Sequence, residues 1–442
     1  MSRNLFGTDG VRGVAGERIT AELALGLASA ATRLAVPEAG RGPQVLVIRD
    51  TRESGEMLEA GIAAGVAAAG GDALLGGVLP TPAAPLLLRR YGLDLAVVLS
   101  ASHNPYRDNG IKFFGPDGHK LSDRREEEIE AVLEAGARPN AEAIGRVRTL
   151  RGTLEDYLRE LHTRFVDLDL SGLRVALDCA NGAAYRAAPE MFRRLGAEVT
   201  AIGVEPDGRN INDGCGSTHI DSLAAAVVAG GHDLGFAFDG DADRVLAVDR
   251  RGTVVDGDEL IALAALHLRA AGRLAGGGVA VTVMANYGFH HAMRQAGIEV
   301  ATTPVGDRYV IEELRGRRWV LGGEQSGHII EMGFSPTGDG IASALLTLEA
   351  LGGRDLAERD AMEKLPQRLV NVRVDDRDGL LHERALREAI ERESAALEGR
   401  GRVLVRPSGT EPVVRVMVEA PSEDEAAAAC ERLVAALQAV TA

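Results

Sequence analysis

Three times along its 442 residues the chain runs through one plan: an apolar run, a helical stretch, a glycine turn and a second apolar run. The first copy is Val45–Ile48, a helix around Met57–Ala69, the turn Gly70-Gly71-Asp72, then Ala73–Val78. The second is Val175–Leu177, Pro189–Leu195 and Gly196 leading to Val199; the third is Val279–Val283, His291–Ala296 and Gly297 leading to Val300. Glycine just past a helix supplies the left-handed conformation that ends it. Strands that alternate with helices pair as βαβ units around parallel sheet. Copies on the order of 100 residues apart are too widely spaced for a solenoid and suit separate, related domains. The plan therefore predicts three related α/β domains with mixed, mainly parallel sheets.

The tail follows another pattern. Val370–Val374 alternates as a half-exposed strand, a charged helix follows near Leu380–Leu397, and Val403–Val405 and Val413–Val418 are strands around a Pro/Ser/Gly/Thr loop. Ser422 and Glu425 have capping-box spacing before a last helix reaching about Val440. This is a smaller α+β unit. The expected boundaries are 1–152, 153–253, 254–366 and 367–442.

The chain carries 49 basic against 65 acidic side chains, a formal charge of −16. That balance argues against nucleic-acid or anionic-membrane binding, which need a basic footprint. A small anion stays possible wherever arginine and lysine gather locally. Cys179, Cys215 and Cys430 are far apart, odd in number and without CxxC spacing, so neither a disulfide framework nor a cysteine zinc site is expected. They read as reduced thiols of a cytoplasmic protein, Cys179 buried at a strand end. Met1–Gly7 has no signal-peptide core, and no apolar run reaches membrane-spanning length. Neither a P-loop nor a strand-linked dinucleotide motif occurs.

Five segments carry chemistry. Ser100-Ala101-Ser102-His103-Asn104-Pro105 follows the apolar run Leu93–Leu99 and places a hydroxyl at a strand's C-terminal end, where α/β folds gather ligands. Alone it fits an ordinary Asn-Pro turn equally well. Asp239-Gly240-Asp241-Ala242-Asp243-Arg244 follows Leu234–Phe238 and offers three carboxylates at alternate positions to one hard cation. An EF-hand is excluded, because Arg244 and Arg250 stand where that loop requires Gly and Glu. Arg406-Pro407-Ser408-Gly409-Thr410-Glu411-Pro412, with Arg415, combines hydroxyls, exposed amides and arginines as a phosphate cradle would. Gly323-Glu324-Gln325-Ser326-Gly327-His328 is polar with little bulk, suiting sugar hydroxyls or a plain glycine turn. Gly7–Gly13 could set Thr8 and Arg12 in a cleft, and Gly306-Asp307-Arg308 could turn an arginine to a phosphate or simply start a helix. Lys112 lies between apolar neighbours, a setting in which most lysines snorkel to solvent.

In this order the segments resemble the α-D-phosphohexomutase superfamily over the whole chain, most closely its bacterial phosphoglucosamine branch. The resemblance implies four domains in a heart shape around a central cleft. It implies that Ser102 carries a phosphoryl group and that Asp239, Asp241 and Asp243 hold Mg²⁺, with an oxygen on Ser102 as a further ligand. Arg12, Lys112, His103 and His328 are implied as catalytic companions, and Arg244 as facing the cleft. Glu324, Ser326 and Arg308 would bind the sugar, and Arg406, Ser408, Gly409, Thr410 and Arg415 the distal phosphate. The implied reaction interconverts glucosamine 6-phosphate and glucosamine 1-phosphate through a phosphoserine enzyme. Glucosamine 1,6-bisphosphate would be the intermediate and it, or glucose 1,6-bisphosphate, the primer. The implied partner is a phosphorylated hexosamine, with no nucleic acid or membrane; a homodimer stays open. Mannose or glucose phosphates are the nearest alternative substrates. An aspartyl-phosphate phosphatase using Asp239, or a non-catalytic sugar-phosphate or Ca²⁺ binder, are the more distant readings. The segment Met284-Ala285-Asn286-Tyr287-Gly288 departs from the family pattern at Ala285 and Tyr287.

Overall fold

The computed structural model describes residues 4–7, 9–37, 40–136, 144–374, 383–407 and 413–441. They form two compact units, one from Met1–Met284 with Glu299–Arg359, the other from Ala285–Ile298 with Asp360–Ala442.

The first unit holds three mixed sheets. The six-stranded sheet runs Val11–Val14, Asp108–Phe114, Leu95–Leu99, Gln44–Arg49, Asp72–Val78, Val147–Thr149. Its last four members are parallel, whereas Asp108–Phe114 is antiparallel to both neighbours. The five-stranded sheet runs Val254–Val255, Val245–Asp249, Leu234–Phe238, Arg174–Asp178, Glu198–Ile202, and the four-stranded one Glu299–Thr303, Gly278–Thr282, Leu321–Gly323, Ile329–Glu331. Each keeps a parallel centre, as the repeated plan requires, and each is extended at one side by antiparallel pairing, through a single strand in the four-stranded sheet. The helices of the first two copies are Ser54–Ala68 and Ala184–Arg194. Ser54–Ala68 lies tight on Ala21–Leu34: a Cβ on Gly65 would stand 2.2 Å from the Leu25 carbonyl oxygen, so only glycine allows this approach.

Those antiparallel additions position the chemistry. The serine loop joins Leu95–Leu99 to its antiparallel neighbour Asp108–Phe114, with Leu99 opposite Ile111. The triple-aspartate loop joins Leu234–Phe238 to Val245–Asp249, with Phe238 opposite Val245. The glycine-rich loop joins Leu321–Gly323 to Ile329–Glu331, with Gly323 opposite Ile329. All three are hairpin loops at corresponding places in three sheets.

In the second unit Gln367–Arg373, Val413–Glu419 and Arg402–Pro407 form an antiparallel sheet. The helices Arg384–Ala396 and Glu423–Thr441 pack on it around Leu386, Val414, Val416, Val418, Leu433 and Leu437. The helix Tyr287–Gln295, which the repeated plan puts with the third α/β copy, belongs to this unit. The buried Asn286 side chain explains why: its Oδ1 accepts from Leu365 N at 3.0 Å and its Nδ2 donates to Leu365 O at 3.1 Å. Tyr287 N also donates to Glu419 Oε2 at 2.8 Å. Half of the expected capping box forms. Ser422 Oγ accepts from Glu425 N at 3.3 Å, but the Glu425 carboxylate is held by Arg400. None of the three cysteines is in a disulfide, and Cys179 is buried just past the strand Arg174–Asp178. Among the described residues no helix is long and apolar enough to cross a membrane.

Candidate active site

Two of the hairpin loops meet at Ser102. This residue has φ of +53°, a left-handed conformation that a side chain other than glycine's adopts only when its surroundings impose it. Its Oγ donates to Asp239 Oδ2 at 2.6 Å, and His103 Nδ1 lies 3.3 Å from the same oxygen. Burial, with Arg244 and Arg12 nearby, presses the His103 imidazole toward its neutral form.

Asp239, Asp241 and Asp243 are all buried, and one oxygen from each lies within 4.8 Å of the others. The turn is drawn tight by Ala242 N donating to Asp239 O at 3.0 Å and Arg244 N donating to Asp239 Oδ1 at 3.1 Å. Gly240 is needed where the loops touch, since a Cβ there would stand 2.6 Å from the Ser102 carbonyl oxygen. Burial and the neighbouring Asp243 and Asp241 push the Asp239 carboxyl well above its ordinary range. Asp243 moves the other way: burial opposes ionisation, but His328, Lys112 and Arg244 outweigh it. Asp241 Oδ1 and Asp243 Oδ1 are buried and make no protein hydrogen bond within 3.5 Å, His328 Nδ1 standing 3.6 Å from Asp243 Oδ1. Orphaned acceptors of this kind, beside a carboxyl pushed toward protonation, are what a hard divalent cation would satisfy. The donor set fits Mg²⁺.

Lys112 does not snorkel. It is 1% exposed, and its Nζ donates to Asp241 Oδ2 at 2.9 Å and lies 3.1 Å from Asp9 Oδ2. Burial would lower its pKa, but Asp241, Asp9 and Asp243 outweigh that and hold the ammonium above its usual range. Asp9 also pairs with Arg12 and Lys120, and Lys120 Nζ reaches Asp307 Oδ2 at 2.6 Å. Despite burial, Lys112, Lys120 and Arg12 keep the Asp9 carboxyl well below its ordinary range. His328 lies between Asp243 (3.6 Å) and Asp307 (3.7 Å), and its Nε2 accepts from Gly338 N at 3.1 Å. Burial would lower the His328 pKa, but Asp243 and Asp307 outweigh that and raise it, and Nδ1 faces Asp243.

In the glycine-rich loop, Glu324 Oε1 accepts from Gly306 N at 2.8 Å and Ser326 Oγ donates to Glu324 Oε2 at 3.3 Å. The loop is tied to the aspartate loop by Val245 N donating to Gly327 O at 3.0 Å. Arg308 is engaged by Asp123 and, at 3.3 Å, by Glu126. Arg406 and Arg415 are cross-strand partners in the second unit's sheet. Burial and Arg415 lower the Arg406 pKa. Thr8, Ser408, Gly409 and Thr410 lie outside the described residues.

Sequence reasoning missed Thr81, whose Oγ1 donates to Asp241 Oδ2 at 2.7 Å, and the Asp9–Lys120–Asp307 chain. It also missed Asp50 and Arg52 behind the serine loop, and Asn212, whose Nδ2 donates to Ser102 O at 3.0 Å. A usable signal existed for Asp50-Thr51-Arg52: it stands just past the C-terminal end of the parallel strand Gln44–Arg49, the same kind of position that Ser102 occupies.

Four family models match the chain in order. They are Phosphoglucomutase/phosphomannomutase alpha/beta/alpha domain I (residues 3–139), domain II (155–252), domain III (256–369) and the C-terminal domain (369–436). A phosphoglucosamine mutase of Mycolicibacterium smegmatis is 53% identical over 436 residues, covering 96% of each chain. One from Moorella thermoacetica is 51% identical over 445 residues, 99% of this chain and 98% of that one. In fold, the chain is similar to a phosphoglucomutase/phosphomannomutase family protein from Burkholderia thailandensis (TM-score 0.81, 24% identity, 99% of this chain and 98% of that one). It is also similar in fold to the N-acetylphosphoglucosamine mutase of Aspergillus fumigatus solved with GlcNAc-6P and magnesium (TM-score 0.68, 20% identity, 100% and 96%). With its four domain matches in sequence and a serine loop seated on a triple-aspartate loop, the chain belongs to the phosphoglucomutase/phosphomannomutase family of mutases.

Proposed function

We propose that this chain interconverts glucosamine 6-phosphate and glucosamine 1-phosphate, with Ser102 carrying the phosphoryl group between turnovers. The observation that carries the reading is Ser102 Oγ held 2.6 Å from Asp239, with Asp241 and Asp243 close by and each keeping one buried oxygen that makes no protein hydrogen bond within 3.5 Å. The glucosamine assignment draws on the relatives at 51–53% identity, which are phosphoglucosamine mutases.

Asp239, Asp241 and Asp243 would hold Mg²⁺, joined by an oxygen on Ser102. When bound, the ion supplies charge stabilisation for the phosphoryl oxygens as they pass through a loose transition state. Lys112 and Arg12 add fixed positive charge on the same side and need no reorganisation during the transfer. His103 stands at hydrogen-bond distance from Ser102 Oγ to exchange a proton with it, and His328 presents Nδ1–H toward Asp243. Glu324 and Ser326 bind sugar hydroxyls and Arg308 the sugar phosphate. Arg406 and Arg415, with Ser408, Gly409 and Thr410, form a second phosphate site. Ser102 donates its phosphate to one end of the hexosamine phosphate. The resulting glucosamine 1,6-bisphosphate returns the other phosphate to Ser102 after turning around, and this species or glucose 1,6-bisphosphate primes the resting enzyme. The domain divisions 152/153, 253/254 and 366/367 go with this reading. Such an enzyme works in the cytoplasm, upstream of UDP-N-acetylglucosamine and cell-wall precursors.

Turnover of glucosamine, mannose and glucose 6-phosphates by the purified chain with Mg²⁺ tests the proposal. The expected outcome is preference for glucosamine 6-phosphate and loss of all turnover in Ser102→Ala. Preference for a 2-hydroxy sugar would move the chain to another branch of the family, and near-normal turnover by Ser102→Ala would remove the nucleophile.

A further inference from the structure

Behind the serine loop lies a guanidinium with no route to solvent. The side chains of Arg52 and Asp50 are both 0% exposed and paired, Nε to Oδ2, at 2.8 Å. Burying an ion pair is costly unless its remaining donors find partners. Those of Arg52 go to the main chain of one loop. Nη2 donates to Ser102 O and Asn104 O, each at 2.9 Å, and Nη1 donates to Asp108 O at 3.0 Å and to Pro105 O. Asp50 reaches the same loop from the other side. Its Oδ2 accepts from Ser100 Oγ at 2.6 Å, and Ser100 Oγ in turn accepts from Ser102 N at 3.0 Å. Both peptide groups of Ser102 are thus tied into one buried cluster. A second grip comes from the next α/β layer, where Asn212 Nδ2 donates to Ser102 O (3.0 Å) and Asn104 O (3.1 Å).

An ordinary turn needs none of this. Four carbonyls drawn onto one arginine fix the loop as a rigid body, and they account for the left-handed φ at Ser102. The loop has a mechanical task that an ordinary turn lacks. A serine that gains and loses a phosphoryl group changes local charge by close to two units, which would shift a loosely held backbone. Phosphoryl transfer in turn requires in-line positioning, and rates fall steeply for sub-ångström misplacement.

We infer that Arg52 is a positioning residue for phosphoryl transfer: with Asn212 as second grip, it holds the serine-loop main chain so that Ser102 Oγ keeps its place at Asp239. This rests on the reading of Ser102 as phosphoryl carrier. Arg52→Lys keeps a cation for Asp50 but cannot reach four carbonyls, and Asn212→Ala leaves Arg52 on both shared oxygens.

The full-length chain and both variants are assayed with Mg²⁺, glucosamine 6-phosphate and glucose 1,6-bisphosphate. The readouts are kcat, KM, the fraction phosphorylated on Ser102 by mass spectrometry, and circular dichroism. In Arg52→Lys, kcat and the rate of Ser102 phosphorylation fall about tenfold or more while KM stays within about twofold, because Glu324 and Ser326 are untouched. In Asn212→Ala they fall several-fold with the same split. The inference is overturned if Arg52→Lys is folded and keeps kcat within about twofold, or if its loss lies in KM. Should Arg52→Lys not fold, an Asn212→Ala variant with unchanged kcat overturns it. If the unvaried chain takes no phosphate on Ser102, the proposed function itself fails; if it does and the variants match it, this inference alone fails.

Discussion

At the scale of single residues, position along a strand mattered more than residue type. Lys112 and Arg52 would both pass for surface cations in sequence, yet each is buried because carboxylates meet it, distant in the chain for Lys112 (Asp241 and Asp9) and close by in the chain for Arg52 (Asp50). Such pairings are invisible to hydropathy, since a charged side chain reads as exposed unless its partner is known. Asp339 shows the same effect with a consequence that can be measured. Its carboxyl is buried, accepts from Ala342 N at 2.9 Å as cap of the helix Gly340–Leu351, and meets Tyr157 Oη at 3.0 Å. Burial pushes its pKa from 3.8 to about 7. A carboxyl raised on folding keeps its proton in the folded state while the unfolded chain has lost it, so stability falls as pH rises between those two values and is flat above. In urea titrations, the full-length chain should lose stability relative to Asp339→Asn from about pH 4 to about pH 7, by about 1.4 kcal/mol per pH step of one across that window. A difference between the two proteins that does not vary with pH would show that Asp339 is ionised throughout.

At the scale of elements, the parallel centres of the three α/β sheets were legible because apolar runs, helices and glycine stops recur in the right order. Mixed sheets were expected, but which strands are the antiparallel ones was not legible. Asp108–Phe114 reads as one more apolar run, and nothing local tells whether it lies parallel or antiparallel to Leu95–Leu99. That choice is what makes the serine, aspartate and glycine-rich loops hairpins, so the motifs were visible in sequence while the geometry that presents them was not. Nor was the placement of Tyr287–Gln295, because the bonds that draw it to the second unit run through Asn286 to Leu365, 79 residues away. Asn286→Ala would leave both Leu365 main-chain groups without these partners. The expected cost is about 1–3 kcal/mol by urea unfolding of the full chain. A change within about 0.5 kcal/mol, typical of surface substitutions, would mean that other contacts hold this helix in the second unit.

At the scale of the whole molecule, a chain with a formal charge of −16 has to handle sugar phosphates. The structure resolves the apparent conflict by local sorting: Arg12, Lys112, Lys120 and Arg244 gather near Ser102, interleaved with Asp9, Asp241, Asp243 and Asp307. Over the same chain the family models match 3–139, 155–252, 256–369 and 369–436, and the three described hairpin loops and the Arg406–Arg415 pair all lie within those ranges. The central claim is that Ser102 is the phosphoryl carrier. Its most direct test is a phosphopeptide map of the full-length chain after incubation with Mg²⁺ and glucose 1,6-bisphosphate. One phosphate on Ser102, discharged when glucosamine 6-phosphate is added, is the expected result; phosphate on Asp239, or turnover with Ser102 never modified, would contradict it.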